Sequence, residues 1–206
     1  MANLKNIKSK LILKRIFNNI SYLKKLLLVI YNKNLQNIIS IDIENYKRKS
    51  GKLKLLEKNG KGKEYLLYGT KELIFEGEYL NGLRHGKGQV YFTNGNIRYI
   101  GEYLKGKFNG YIKEYTLRGH LLFEGEYLNG KRNGKGKKYD KNFGCLLFEG
   151  EYLNGKRNGQ GKEYDRYDGR LRFEGEYLNG KRNGNGTFFN KIGISYIGKY
   201  KDGKRI

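Results

Sequence analysis

A segment of twelve residues, FEGEYLNGKRNG, occurs three times in the chain, beginning at residues 123, 148 and 173. Related copies begin at residues 75 and 99, and a truncated copy begins at residue 196. The first residues of successive copies are therefore 24, 24, 25, 25 and 23 positions apart. A fixed period of about 20–50 residues indicates a repeat architecture, in which units stack because one unit alone cannot bury its apolar face.

Each copy predicts a β-hairpin. Residues 123–128 alternate between Phe, Gly or Tyr and Glu or Leu, which is the two-residue period of a strand. The pairs Asn129-Gly130 and Asn133-Gly134 follow, and both residue types adopt the positive φ that a tight reversal needs. Residues 135–139 are expected to form the return strand. We expect the paired acids Glu124 and Glu126 to face the side opposite the aromatic residues, beside lysines 135 and 137 across the hairpin.

The fold class that follows is mainly β. Five full hairpins and end fragments would lie side by side as one elongated, twisted antiparallel sheet, formed by residues 51–206. An aromatic column would supply the burial in so thin a sheet. One glycine and one tyrosine recur in each copy and define the repeat structurally: Gly77, Tyr79, Gly101, Tyr103, Gly125, Tyr127, Gly150, Tyr152, Gly175 and Tyr177.

Residues 1–50 form a second region of different composition. They contain eleven basic residues, two acidic residues and no glycine. Apolar residues recur at the spacing of one helix face, with Leu13, Ile16, Phe17 and Ile20 as the candidate partner-binding positions. The longest uncharged apolar run is much shorter than the roughly 20 residues of a membrane span. A helical cap for the sheet, a targeting segment and a partner-binding module remain open for this region.

The composition argues against an enzyme. One cysteine and two histidines leave little for metal or nucleophilic chemistry, and no glycine-rich segment has phosphate-loop spacing. The acid pair could suggest a glycosidase, but a pair in nearly every copy indicates a structural ladder. No catalytic residue, cofactor or metal is predicted.

Basic residues recur after each Asn-Gly pair. With 43 Lys and Arg against 20 Asp and Glu, the net charge is +23. Stacked in register, these recurring basic residues would line one edge of the predicted sheet and could bind lipid headgroups or other anions; the alternative is that they only keep the turns solvated. The candidate lipid- or anion-binding residues are Lys131, Arg132, Lys156, Arg157, Lys181 and Arg182. Nucleic acid is disfavoured as a partner, because the aromatic residues that would stack on bases are needed for packing.

The pattern of Phe123, Gly125, Tyr127, Gly130, Gly134 and Gly136 resembles the MORN repeat (membrane occupation and recognition nexus). Residues 148–161, 173–186 and 75–88 match the same pattern, whereas the copy at 99–112 departs from it, because Ile112 replaces the last glycine. The resemblance covers about 58–206. It implies a β-hairpin array that binds or positions other molecules through protein contacts, lipid contacts or dimerisation, and that is not itself catalytic.

A second resemblance lies in residues 9–36, whose leucine and isoleucine spacing is similar to an F-box, although its usual Leu-Pro start and its Trp are absent. The predicted function is a non-catalytic scaffold or adaptor that contacts proteins and associates peripherally with membranes. The alternatives are a module for phosphoinositides or other anionic phospholipids, and an F-box-type substrate receptor of a ubiquitin ligase. Expected partners are proteins, an anionic membrane surface and a second copy joined at the C-terminal end. The expected location is cytoplasmic, at membranes or the cytoskeleton.

Overall fold

The structure is a computed structural model that describes residues 52–56, 60–66 and 72–206. The predicted helical region, with Leu13, Ile16, Phe17 and Ile20, lies outside the described residues, as does its expected boundary near residue 51. The chain divides into two compact units. The larger unit comprises residues 54–64 and 73–206, and it contains all the candidate residues of the repeats.

The described residues form one sheet of fourteen strands in sequence order, and they contain no helix. Each neighbouring pair from the third strand onward is antiparallel. The mainly β fold of hairpins is therefore confirmed. The strands are β1 (Lys52–Leu56), β2 (Gly60–Leu66), β3 (Glu72–Leu80), β4 (Leu83–Tyr91), β5 (Ile97–Leu104), β6 (Lys107–Tyr115), β7 (Leu121–Leu128), β8 (Lys131–Tyr139), β9 (Leu146–Leu153), β10 (Lys156–Tyr164), β11 (Leu171–Leu178), β12 (Lys181–Phe189), β13 (Ile194–Lys201) and β14 (Lys204–Arg205).

The hairpin turns contain two residues. Asn129 has φ 51° and Gly130 has φ 84°, as a turn whose twist matches that of the flanking strands requires. The predicted start of the return strand at residue 135 is wrong, because β8 begins at Lys131 and the pair Asn133-Gly134 lies within the strand and not in the turn. Gly134 has φ 101° but lies within β8, at a register shift. There, Gly125 and Tyr127 are two positions apart in β7, but their partners Gly136 and Arg132 are four positions apart in β8, so β8 bulges.

The core is a row of phenylalanine rings that lie on glycine backbone. Phe123 is completely buried, and a Cβ added at Gly136 would be 2.5 Å from its ring. The neighbouring tyrosines meet the ring edge-on, with centroids 5.9 Å away for Tyr127 and 5.4 Å away for Tyr152. Phe75, Phe148 and Phe173 are equally buried. In the copy that departs from the pattern, Ile112 is also completely buried, and β6 has its full length.

Two faces result from this alternation. We call the side with Phe123, Tyr127 and their equivalents the aromatic face. The other side is the glutamate face, where Glu124 lies directly across from Lys137. The candidate residues named from the sequence are divided between these two faces.

Candidate functional site

The arginines of the predicted basic row belong to the aromatic face. The guanidinium carbon lies 3.9 Å from the ring centroid of Phe123 for Arg132, 4.0 Å from that of Phe148 for Arg157, and 4.3 Å from that of Phe173 for Arg182. Arg84 covers Phe75 in the same way, at 3.9 Å. The guanidinium groups of these arginines are therefore stacked on the phenylalanine rings of the core and cover them.

Glutamates of the same face bind these arginines, either within one strand or across two strands of the sheet. Arg132 Nη2 donates to Glu114 at 3.0 Å, and Arg157 Nη1 donates to Glu163 at 2.6 Å. Glu163 also accepts from Arg182. Burial alone would raise the pKa of Glu163, but the hydrogen bond and charge of Arg182 and the charge of Arg157 hold it below its usual value. Sequence analysis did not single out Glu64, Glu114 or Glu163, although each precedes a tyrosine near the end of its strand.

The lysines of the predicted row have different surroundings. Lys131 lies directly across from Leu128, beside the turn, and is exposed. Lys156 and Lys181 have the equivalent position. Within residues 72–206, no acidic side chain pairs with Lys131 or Lys156, and Lys181 lies 3.6 Å from Asp202. The predicted basic row is thus divided: its lysines face solvent and its arginines are half-buried.

On the glutamate face, one row of glutamates pairs with lysines of the neighbouring hairpin. Lys113 lies 3.4 Å from Glu124, Lys137 lies 3.5 Å from Glu149, and Lys162 lies 3.2 Å from Glu174. The expected pairing within one hairpin is therefore corrected to pairing between hairpins.

Tyrosine hydroxyls complete this ladder. Tyr139 donates to Glu124 at 2.7 Å, and Tyr164 donates to Glu149 at 2.5 Å. In each case the hydrogen bond from tyrosine is the main cause that lowers the pKa of the glutamate. These carboxylates are therefore held as charged acceptors between two hairpins.

A second row of glutamates lies nearer the turns. Glu126, Glu151 and Glu176 each pack against the glycine of the register shift, where a Cβ would collide with the carboxylate. Glu176 accepts the backbone N–H of Asn185 at 3.0 Å, and Glu151 accepts that of Gln160 at 3.4 Å. No lysine or arginine of the described residues forms an ion pair with this row, which leaves unpaired carboxylates along the face.

Two grooves open on the glutamate face. The first has a volume of about 470 Å³, and the second, toward β2, has a volume of about 920 Å³. Tyr111 lines both. The first contains five glutamates and three lysines, so it is acidic although the whole chain is strongly basic. Its other lining residues are Gly136, Gly150, Gln160 and Gly161.

The described residues contain no group of His, Cys, Asp and Glu suited to a metal ion. Among them, no helix is long and apolar enough to cross a membrane.

Repeated hairpins, glycine-floored phenylalanines and a single open sheet define a β-hairpin repeat protein. The sequence profile of the MORN repeat matches residues 75–97, 99–111, 123–144, 148–166 and 173–191, so the chain belongs to the MORN-repeat family. Repeats of this family are generally non-catalytic.

No curated protein matches the chain. A solved structure described as "Crystal Structure of TarM" is 12% identical, covers 66% of this chain and 26% of its own, and superposes with a TM-score of 0.33. The chain thus spans about a quarter of that protein, and a likeness of this extent says nothing about function.

Proposed function

We propose that the protein is a non-catalytic scaffold or adaptor that binds a partner polypeptide along its glutamate face. The observation that carries the proposal is the contrast between the two faces. The rings and arginines of the aromatic face are engaged with one another, whereas the glutamate face has two grooves beside carboxylates without ion pairs.

The chemistry of the groove favours a partner segment with both basic and apolar side chains. Beside the unpaired row of Glu126, Glu151 and Glu176, the leucines at the turns are about half exposed, with Leu128, Leu153 and Leu178 at 49–50%. Hairpins recur roughly every 10 Å along the sheet, because each contains two strands about 4.8 Å apart. A segment lying across the strands would meet one carboxylate and one leucine per hairpin.

Charge reversal in the groove tests the proposal. The full chain would be used to capture proteins from cells of its source, and each captured protein would then be purified and titrated directly against the chain by calorimetry. We expect Glu126→Lys with Glu151→Lys to weaken binding by about tenfold or more, because paired charges are replaced by like charges.

Asp202→Lys is the control, because it reverses one charge outside the groove, whereas the test variant reverses two within it. Asp202 is an exposed turn residue with φ 51°, and Lys105 has the same role in another hairpin at φ 49°, so lysine fits there. Circular dichroism melting would verify that all variants fold. A partner that binds the variant with Glu126→Lys and Glu151→Lys as tightly as it binds the parent chain would contradict the proposal.

Anionic phospholipid binding is the second candidate function. Lys131, Lys156 and Lys181 recur at the exposed edge, and the first two have no acidic partner among residues 72–206. Each basic residue near an anionic surface contributes about 1 kcal/mol. Co-sedimentation with phosphatidylserine or phosphoinositide vesicles at physiological salt would test it, and changing the three lysines to glutamate should abolish binding. Such binding would fit a cytoplasmic protein associated peripherally with membranes.

The F-box-like role of residues 9–36 and a homodimer joined at the C-terminal end stay predictions. Binding of a Skp1-type adaptor to the full chain would test the first. Sedimentation equilibrium would test the second.

A further inference from the structure

The aromatic face has a carboxylate in alternate hairpins. In β2, Glu64 accepts the hydroxyl of Tyr79 at 2.9 Å and binds Arg84 at 2.9 Å. In β6, Glu114 accepts the hydroxyl of Tyr127 and binds Arg132. In β10, the equivalent Glu163 binds Arg157 and Arg182. In every second hairpin, therefore, one glutamate forms a hydrogen bond or an ion pair with the tyrosine or the arginine of the next hairpin.

The intervening strands have other residues at the same register position. Val90 in β4, Lys138 in β8 and Phe188 in β12 each lie across from the aromatic residue that begins the neighbouring copy. The tyrosines that follow them, Tyr103, Tyr152 and Tyr200, are buried, and their hydroxyls have no hydrogen-bond partner among the described residues. Tyr177 differs from these three, because its hydroxyl lies close to Glu163, the carboxylate that also accepts from Arg157 and Arg182. A buried hydroxyl without a partner costs free energy and is uncommon.

Val90, Lys138 and Phe188 stand where the alternate strands have glutamate. Of these three residues, only Lys138 carries a charge, and that charge is positive. Lys138 lies between Phe123 and Phe148 in the sheet register, and Arg132 and Arg157 cover those two rings. The ring of Tyr152 packs edge-on against both phenylalanines, at 5.4 and 5.6 Å.

The charge at this position is unbalanced. No acidic side chain of the described residues pairs with Lys138, which is exposed. Glu114 and Glu163 are the two carboxylates shared by Arg132, Arg157 and Arg182. Partial burial and then the charges of Arg157 and Arg132 lower the pKa of Lys138, which agrees with an excess of positive charge around it.

We propose that the aromatic face at Lys138 binds a carboxylate of an acidic partner polypeptide, which is held by Lys138, Arg157 and the hydroxyl of Tyr152. The carboxylate would serve there as Glu114 serves for Tyr127 and Arg132 one copy earlier. Charge-assisted hydrogen bonds from lysine and arginine favour this ligand over a neutral one. The site lies on the opposite face from the groove and is independent of the proposed function.

The test uses the full chain and N-acetyl-glutamate N-methylamide, which presents one side-chain carboxylate. Titration would be followed by NMR of the lysine and arginine side chains, and affinity in the millimolar range is expected for so small a ligand. Lys138→Glu supplies the carboxylate from the chain itself. It should reduce affinity by about tenfold or more, because it replaces a cation by a like charge. It should also raise Tm by about 2–4 °C, the size of shift that one added polar interaction gives in a chain of this length.

Two further variants separate the site from general electrostatics. Lys135→Glu makes the same charge change on the glutamate face, where Lys135 is exposed and has no ion pair among residues 72–206, and it should change affinity less than about twofold. Tyr152→Phe removes only the hydroxyl and should weaken binding several-fold, to the extent of one hydrogen bond to a charged group.

Three outcomes would overturn the proposal. Equal loss of affinity in Lys138→Glu and Lys135→Glu would assign the binding to net charge. Absence of any shift at Lys138 or Arg157 would exclude a carboxylate site. Tighter binding of inorganic phosphate with the same dependence on Lys138 would assign the site to phosphate, and vesicles containing phosphatidylserine or phosphatidylinositol phosphate would then identify a lipid headgroup as its source.

Discussion

The guanidinium carbon of Arg132 lies 3.9 Å from the centroid of the Phe123 ring, and that ring has no exposed surface. The arginine thus closes the aromatic face over a phenylalanine whose other side lies on glycine backbone. Its guanidinium also binds Glu114, which holds the hydroxyl of Tyr127. One side chain therefore joins the core ring of its own hairpin to a carboxylate of the preceding hairpin.

We expect Arg132→Gln to reduce the free energy of unfolding by about 2–3 kcal/mol, since it removes a hydrogen bond between charged groups and a cation–π contact and leaves Glu114 with less compensation. Lys131→Gln, one residue away, should change it by less than about 0.5 kcal/mol, as exposed surface changes do. Urea unfolding of both variants measures the difference. Similar losses would show that Arg132 is not part of the packed face.

The sequence predicted the hairpins well because their signals are local. Asn129-Gly130 adopts the expected positive φ values, and the alternation around Tyr127 gives the expected burial. The division between Lys131 and Arg132 was missed because the two were treated as one basic pair. Adjacent residues in a strand point to opposite faces, and the return strand begins earlier than predicted, so lysine and arginine have opposite surroundings.

The alternating glutamates were missed for a different reason. Glu114 meets Arg132 across 18 positions of sequence, and its neighbours depend on the register shift at Gly134, which no local pattern reveals. A one-residue error in register would move a side chain to the other face. The equivalent positions 64, 114 and 163 could have been aligned from the repeat, but their alternation with Val90, Lys138 and Phe188 becomes meaningful only when their partners are known.

Gly136 provides a steric test of the core. Its φ is not in the left-handed region, so Gly136→Ala adds no backbone strain, but the new Cβ would be 2.5 Å from the Phe123 ring. We expect a loss of about 3 kcal/mol in the free energy of unfolding, at the upper end of overpacking effects. Gly130→Ala is the control: it has φ 84° and open space around it, and strain alone should cost about 1–2 kcal/mol. Thermal or urea unfolding would rank the two, and a smaller effect at Gly136 would contradict the packing described.

Two tyrosine hydroxyls should respond in opposite ways to the same deletion. The hydroxyl of Tyr127 donates to Glu114, whereas that of Tyr152 is buried without a partner. Tyr127→Phe should therefore reduce the free energy of unfolding by about 1–2 kcal/mol, because a partly buried carboxylate loses a donor. Tyr152→Phe should be neutral or stabilising by up to about 1 kcal/mol, because no hydrogen bond is lost and a desolvated group is removed. Equal destabilisation in urea would mean that Tyr152 has a hydrogen-bond partner in solution.

Alkaline titration tests the burial of the tyrosine column. Burial raises the pKa of Tyr103 to about 12, whereas an unfolded tyrosine ionises near pH 10. Between these values the unfolded chain loses the proton first, so the contribution of Tyr103 to stability is complete below about pH 10 and is lost as the pH rises toward 12. Urea unfolding at about pH 9 and about pH 11 should show a decline that is shallower in Tyr103→Phe than in the parent chain. The comparison of the two chains cancels the ionisation of lysines and of the other tyrosines, and identical slopes would mean that the Tyr103 hydroxyl is accessible to water in the folded state.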